Sequence, residues 1–322
     1  MTRVQQVLFK VETSYFGHPY YVSGNALFNA LARRVDAATR RSLCVSHGVF
    51  VPGEYGEVPD WHSQDGYAGK LGQSLPEVEA YDDLFLYREA AQRWLLGSRP
   101  RDAHNTHDLQ SHGGRVAFAP RCYVGRPPEV RNHKRTVQWY LHCYLHTGRA
   151  ADGDGVLPVG DDVLDGVRVG GARNYGFGEL SVTATRVVDL EALDYSRLTA
   201  SDVDAYVLEL VTPYVLQSSY PGAESQSVPW WWGSPVGSQG GPGDGLRRRD
   251  ERLVADGDLH ELACVDHGQI VAYAGCEPVR TAKNGVVRVG THSRFGFGEF
   301  RVRPARDDRV EERCGEQAGG EA

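Results

Sequence analysis

Two thirteen-residue stretches carry the densest chemistry in the sequence: Arg168-Val-Gly-Gly-Ala-Arg-Asn-Tyr-Gly-Phe-Gly-Glu-Leu180 and Arg288-Val-Gly-Thr-His-Ser-Arg-Phe-Gly-Phe-Gly-Glu-Phe300. Seven of the thirteen positions are identical, with Tyr/Phe and Leu/Phe as near matches, so the pair reads as a duplication. Gly170, Gly176 and Gly178, like Gly290, Gly296 and Gly298, permit positive φ and leave main-chain N–H groups uncovered, so a phosphate or ribose can approach the backbone closely. Gly171 adds a further bare position in the first copy. Between the glycines, Arg173, Asn174 and Tyr175 in one copy and His292, Arg294 and Phe295 in the other supply charge, hydrogen bonding and stacking surface. A dinucleotide-binding glycine loop must open a helix whose N-terminus receives the phosphates. Here β-like runs precede the glycines, at 167–169 and 286–289, and follow them, at 180–182 and 300–302. The competing structural reading makes each Gly-Phe-Gly a bulge or tight hairpin with Phe177 and Phe297 in the core.

Other residue groups point to other chemistries. Cys44-x-x-His47 and Cys264-x-x-His267, each followed by Gly, are zinc-ligand types, and His142, Cys143 and His146 form a third cluster. Strand alternation in 137–145 turns Cys143 away from His142, and the two Cys-x-x-His pairs lie in different halves of the chain. Buried thiols and exposed imidazoles are therefore expected, with no metal and no cofactor favoured. Trp230, Trp231 and Trp232 cannot all enter one strand face, so at least one is expected to meet solvent or a protein partner. No Ser/His/Asp order, carboxylate pair or P-loop stands out.

The elements that must position the glycine loops are legible in outline. Residues 7–12 read as a first strand, Gly17 to Pro19 as a turn, and Leu27, Phe28, Leu31 and Val35 recur at helical spacing behind Ser23 and Asn25, with Arg33, Arg34, Arg40 and Arg41 on the other face. Residues 44–51 and 137–145 read as further strands, and 156–164 follows a short Asp/Gly turn. From about 54 to 121 the pattern weakens, which suggests an insertion holding a helix near 84–96 and then a mobile loop. A linker is expected over 189–202, strands at 205–215, 264–274 and 286–289, and a long exposed loop over 218–245. The resulting division is an N-terminal domain at 1–200, a C-terminal domain at 204–306 and a disordered tail at 307–322.

Composition narrows the setting. The net charge is −7, with 41% hydrophobic and 24% charged residues, and no run approaches the roughly 18–20 apolar residues of a membrane span. The N-terminal segment lacks an apolar signal region and the six cysteines lack disulfide-scaffold spacing, so a soluble cytoplasmic protein with reduced thiols is expected. A negative total argues against wholesale phosphate binding but leaves local basic clusters, among them Arg33-Arg34, Arg40-Arg41, His133-Lys134-Arg135 and Arg247-Arg248-Arg249.

At the two glycine cassettes the sequence resembles the RAMP superfamily of CRISPR-Cas proteins. Residues 21–27, Tyr-Val-Ser-Gly-Asn-Ala-Leu, are similar to that superfamily's passage from first strand to first helix, and 137–148 to the strand before its loop. The resemblance implies an α+β fold with two ferredoxin-like (RRM-like) domains, each with an antiparallel sheet and a C-terminal glycine-rich loop. Two domains with two loops look most like effector-complex subunits that hold crRNA, including those gripping its 5′ handle. It implies crRNA or other single-stranded RNA and fellow effector subunits as partners, with Arg173, Asn174, Tyr175, Arg294 and Phe295 facing RNA and no catalysis. The superfamily's metal-independent crRNA-processing endoribonuclease is the alternative. It would need a histidine acting as acid or base beside the RNA, for which His18 and His47 are the candidates. A structural or zinc-stabilised interaction protein without a CRISPR role is the third possibility.

Overall fold

The first strand, β1 (Arg3–Val11), is rich in β-forming residues, and Val4, Val7, Leu8, Phe9 and Val11 are all fully buried because the strand lies inside its sheet. The computed structural model describes residues 2–18, 21–53, 74–75, 77–88, 116–118, 121–124, 135–148, 157–236 and 245–306. The chain divides into two compact units, Met1–Leu193 and Asp194–Ala322, a boundary ahead of the expected 200–204.

In the first unit β1 is followed by β2 (Tyr15–Gly17), β3 (Tyr21–Val22), α1 (Gly24–Leu31), α2 (Ala37–Ser42), β4 (Leu43–Val45), β5 (Gly48–Pro52), β6 (Val116–Phe118), β7 (Arg121–Val124) and β8 (Arg135–Thr147). Then come α3 (Asp161–Leu164), β9 (Val167–Arg168) and β10 (Glu179–Asp189). The main sheet runs β5, β8, β1, β10, with every pair antiparallel. β3 extends the β5 edge, β9 the β10 edge, and β4 and β7 also pair with β8. Ser23 caps α1 by accepting from the Ala26 N–H at 3.2 Å, and Leu27, Phe28 and Leu31 bury its inner face. So short a helix is held by this packing rather than by propensity.

The two faces of the sheet are covered by different segments. On one, Gln5 exchanges hydrogen bonds with the backbone of Val159 at 3.0 and 2.7 Å, fastening the segment that leads into α3. On the other, Tyr87, at the end of helical residues 83–88, packs with Leu8, Val49, Val51 and Tyr140. Tyr144 donates to the Leu84 carbonyl, and Arg88 lies over the Tyr144 ring and donates to Ser46 Oγ and the His47 carbonyl. So part of the expected insertion is core, while 89–115 and the tail lie outside the described residues. This cover also buries His142 against Tyr87, and His146 is buried too, although the sequence places both on an exposed face. The alternation itself holds, since His142 lies opposite Leu8 and Cys143 opposite Val7.

The second unit contains α4 (Ser196–Thr199), β11 (Tyr206–Leu210), β12 (Tyr214–Ser218), β13 (Trp232–Pro235), β14 (Arg248–Ala255), β15 (Asp258–Val265), β16 (Ile270–Tyr273), α5 (Pro278–Val286) and β17 (Phe300–Pro304). One antiparallel sheet runs β13, β16, β11, β17 and a second runs β12, β15, β14. The buried pair Arg301–Glu209, with Nη2–Oε2 at 2.9 Å, sits directly across β17 and β11. A register slip would leave a charge buried alone. Both units are thus α+β with antiparallel sheets, and among the described residues no helix is long and apolar enough to cross a membrane.

Several sequence expectations are corrected. Val286 closes α5 instead of opening a strand, because the helix turns Ala282, Gly285 and Val286 inward. Residues 205–215 make two strands broken at Pro213, and 264–274 make two strands broken at Gly268, whose φ is +71°. Residues 44–51 likewise split between β4 and β5, and 161–164 form the single turn α3. The expected linker at 189–202 holds a 3₁₀ turn and α4 with Leu190, Leu193, Tyr195 and Leu198 buried. The expected exposed loop at 218–245 contributes β13, with Trp232 fully buried.

His142 provides a pH test. Complete burial, and then the Arg88 charge, hold its imidazole well below the ordinary value, and neither ring nitrogen has a hydrogen-bond partner among the described residues. Tyr87 and Tyr144 meet the ring edge-on at 4.8 Å. The unfolded chain takes up this proton below about pH 6.5 and the folded chain does not, so stability is complete above that pH and falls as pH drops, by up to about 1.4 kcal/mol per pH unit. Urea midpoints measured from pH 8 to 5 should fall more steeply for the native protein than for His142→Phe. Equal slopes would contradict the assignment.

Candidate nucleic-acid interface

Each glycine cassette folds back on the turn that follows the first strand of its own unit. In the first, the Gly178 N–H donates to the Ser14 carbonyl at 2.8 Å and the Glu179 N–H to Thr13 Oγ1 at 2.9 Å. In the second, the Gly298 N–H donates to the Pro213 carbonyl at 2.9 Å and the Glu299 N–H to Thr212 Oγ1 at 2.9 Å. The loops close alike, Val169 N–H to Gly178 O at 3.0 Å and Val289 N–H to Gly298 O at 3.1 Å. Between these points lie matching 3₁₀ turns, Arg173–Tyr175 and Ser293–Phe295, each entered through a left-handed residue, Ala172 at φ 56° and His292 at φ 63°. Each leaves through a left-handed glycine, Gly176 or Gly296.

The close contacts explain two of the glycines in each copy. A Cβ on Gly178 would lie 1.9 Å from the Val169 carbonyl oxygen, and on Gly298 2.0 Å from that of Val289, with φ +71° and +79°. Gly170 and Gly290 rest on tyrosine rings, where a Cβ would come within 2.7 Å of Tyr15 and Tyr214. Burial pushes both phenols up to about 12, so they remain neutral platforms under the loops. Thr13-Ser14-Tyr15 and Thr212-Pro213-Tyr214 are therefore a second repeated motif, readable in the sequence only once the loops are known to land on it.

The first loop opens on a cleft of about 790 Å³ lined by Gly170, Gly171, Arg173 and Asn174 together with Arg33, Arg34, Arg168 and Glu179. Four guanidinium groups thus face one carboxylate, which Arg168 Nη2 already holds at 2.7 Å. Arg34 is committed as well, donating to the carbonyls of Val163, Asp165 and Gly166 and tying the end of α1 to the turn before β9. The side chains of Arg33 and Arg173 make no hydrogen bond, ion pair or ring contact among the described residues. Tyr175, at the other end of the 3₁₀ turn that Arg173 begins, is 79% exposed. The sequence pattern assigns Arg33 to an outer helix face, whereas it lies just past α1, at the cleft.

The second loop is set differently. His292 Nε2 is 2.8 Å from Ser218 Oγ, its ring meets Tyr220 edge-on, and burial, then His260, lowers its pKa. Phe295 packs against the cluster of Val215, Leu253, Leu262 and Phe297, and Arg294 stands over its ring. Phe297 is buried as the structural reading expects, and Phe177 is half-buried.

The remaining candidates are dispersed. His18 stacks on Tyr21 at 3.9 Å, and Tyr21 meets His47 at 5.2 Å, so one ring cluster holds both, with His47 buried. Cys44 and Cys264 are buried strand thiols, Cys264 pushed up to about 12 by burial, and His267 lies 3.0 Å from Asp266. Among the described residues no three His, Cys, Asp or Glu side chains gather to hold a metal ion. Trp230 is 76% exposed, Trp231 packs on Phe300 at 5.2 Å and Trp232 on Tyr214 at 5.0 Å.

No protein-family model and no curated protein matches the chain.

The glycine geometry yields a paired test. Gly178→Ala should cost about 3 kcal/mol or more, because a backbone carbonyl blocks the added carbon. Gly176→Ala has nothing within 4 Å and should cost only about 1 kcal/mol for its positive φ. Thermal melting of both variants distinguishes them, and equal losses would show that the clasp does not carry the loop.

Proposed function

We propose that this chain is an RNA-binding protein of the RAMP kind, holding crRNA as a non-catalytic subunit of a CRISPR effector complex. The observation that carries this is the arginine-lined cleft built on a duplicated glycine loop. Two guanidinium groups uncommitted among the described residues, bare glycine backbone and an exposed tyrosine suit the phosphates and unstacked bases of single-stranded RNA. The fold lends further support. In each unit the strand after the glycine loop, the first strand, the strand before the helix and the remaining strand stand side by side, antiparallel, as β10-β1-β8-β5 and β17-β11-β16-β13. That common order favours two ferredoxin-like (RRM-like) domains as the ancestral frame, the first enlarged by residues 54–121 and the second by the β12-β15-β14 sheet.

The endoribonuclease alternative rests on one specific feature, the ring cluster that joins His18 and His47 through Tyr21, close in the chain to the Phe16 carbonyl that accepts from Gly171. The burial of His47 counts against its acting as an acid or base on RNA. The exposed Trp230 suits contact with another effector subunit.

Binding of labelled CRISPR repeat RNA, with a parallel check for cutting, tests the proposal across a range of salt. The native protein should bind in a salt-sensitive manner without cleavage. Arg33→Ala/Arg173→Ala should bind more weakly and flatten the slope of log K against log salt by roughly 1.4, or 0.7 for each single-strand phosphate no longer neutralised. Metal-independent cutting abolished by His18→Ala would favour the nuclease, and absence of RNA binding alone or with partner subunits would refute the proposal.

A further inference from the structure

The two cassettes share a backbone, yet their exposed positions carry different side chains in different surroundings. In the first copy the side chains of Arg173, Asn174 and Tyr175 are uncommitted among the described residues, and Tyr175 projects into solvent. In the second copy the same stretch is tied to the inserted sheet. His292 is fixed to Ser218, Thr291 Oγ1 donates to the Glu224 carbonyl at 3.4 Å, and Gly290 lies against Gln226, itself bonded to the Val215 carbonyl. Arg288, the counterpart of the cleft-lining Arg168, is buried and donates through Nε to the Ser293 carbonyl at 2.9 Å. Phe295, the counterpart of Tyr175, is partly buried against the core of that sheet.

We infer that only the first loop is a ligand site, and that it takes a single-stranded RNA segment by one grip of two parts. Arg33 and Arg173 hold backbone phosphate in the cleft, and Tyr175 receives one unstacked base on its ring. The second loop is a structural closure that keeps β17 and the inserted sheet together. This rests on the RNA-binding function proposed above and narrows it, since the sequence alone assigns both loops equally to RNA. The chemistry sets the division: a guanidinium pair gives a salt-dependent, sequence-independent hold, and an exposed aromatic face adds a base contact that any base can satisfy. A phenylalanine partly buried against the core of the inserted sheet, with Arg294 over its ring, and a histidine hydrogen-bonded to serine offer neither.

Fluorescence anisotropy with a labelled, unstructured single-stranded RNA separates the possibilities, using the full chain and variants whose melting temperatures are measured alongside. Tyr175→Ala should bind about tenfold more weakly and Tyr175→Phe close to native, as expected for loss and retention of one stacked base. Arg294→Ala should stay within about twofold of native. If native protein binds but Arg294→Ala weakens it as much as Tyr175→Ala does, the division of labour is overturned while RNA binding stands. If binding is indifferent to Tyr175 and sensitive to Arg33→Ala/Arg173→Ala, the base contact is overturned and the phosphate grip remains. If the native protein binds no RNA, both the inference and the function it rests on fall.

Discussion

In each unit one carbonyl oxygen, that of Val169 or Val289, presses so closely on a glycine that no side chain fits between them. Much else follows from that contact. It requires the left-handed backbone of Gly178 and Gly298, and it aims their N–H groups at the turn after the first strand. The following Glu N–H then falls within reach of Thr13 or Thr212, and the tyrosine two residues further on becomes the floor under Gly170 or Gly290. The loop is thus clasped at its C-terminal end and seated at its N-terminal end. Only the segment between is left to vary, and there Arg173–Tyr175 and Ser293–Phe295 diverge.

The freedom of that middle segment is what duplication exploited. Identical closure keeps β10 beside β1 and β17 beside β11, so the antiparallel order of each sheet is preserved whatever side chains the loop displays. In the first unit Arg33 and Arg34, just past the end of α1, line the cleft beside the loop, and a cationic cleft results although the chain as a whole carries −7. In the second unit the inserted β12, β15 and β14 occupy the loop's flank, and aromatic and histidine side chains pack instead. A local surplus of charge, not the total, therefore governs the proposed RNA contact.

The cassettes are legible in the sequence because glycine, arginine and aromatic residues at fixed spacing survive as near-identity between copies. The strand β1, the capping Ser23 and the alternation in β8 are legible too, since each is a local pattern of one element. What the sequence does not reveal depends on tertiary contact. Val286 belongs to a helix because packing against β17 selects its face, and His142 is buried because a segment more than fifty residues earlier covers it. Arg33 has the pattern of a solvated helix residue, and only the return of the chain at β9 brings it to the loop. The Thr-x-Tyr repeat is too short to be noticed without knowing what lands on it.

The most direct measurement is photocrosslinking of the purified protein to single-stranded RNA carrying 4-thiouridine, with the joined residues mapped by mass spectrometry. Crosslinks are expected in the first cassette, at Tyr175 or its neighbours, with competition by unlabelled RNA. Crosslinks confined to other surfaces, with the first cassette unmodified, would contradict it.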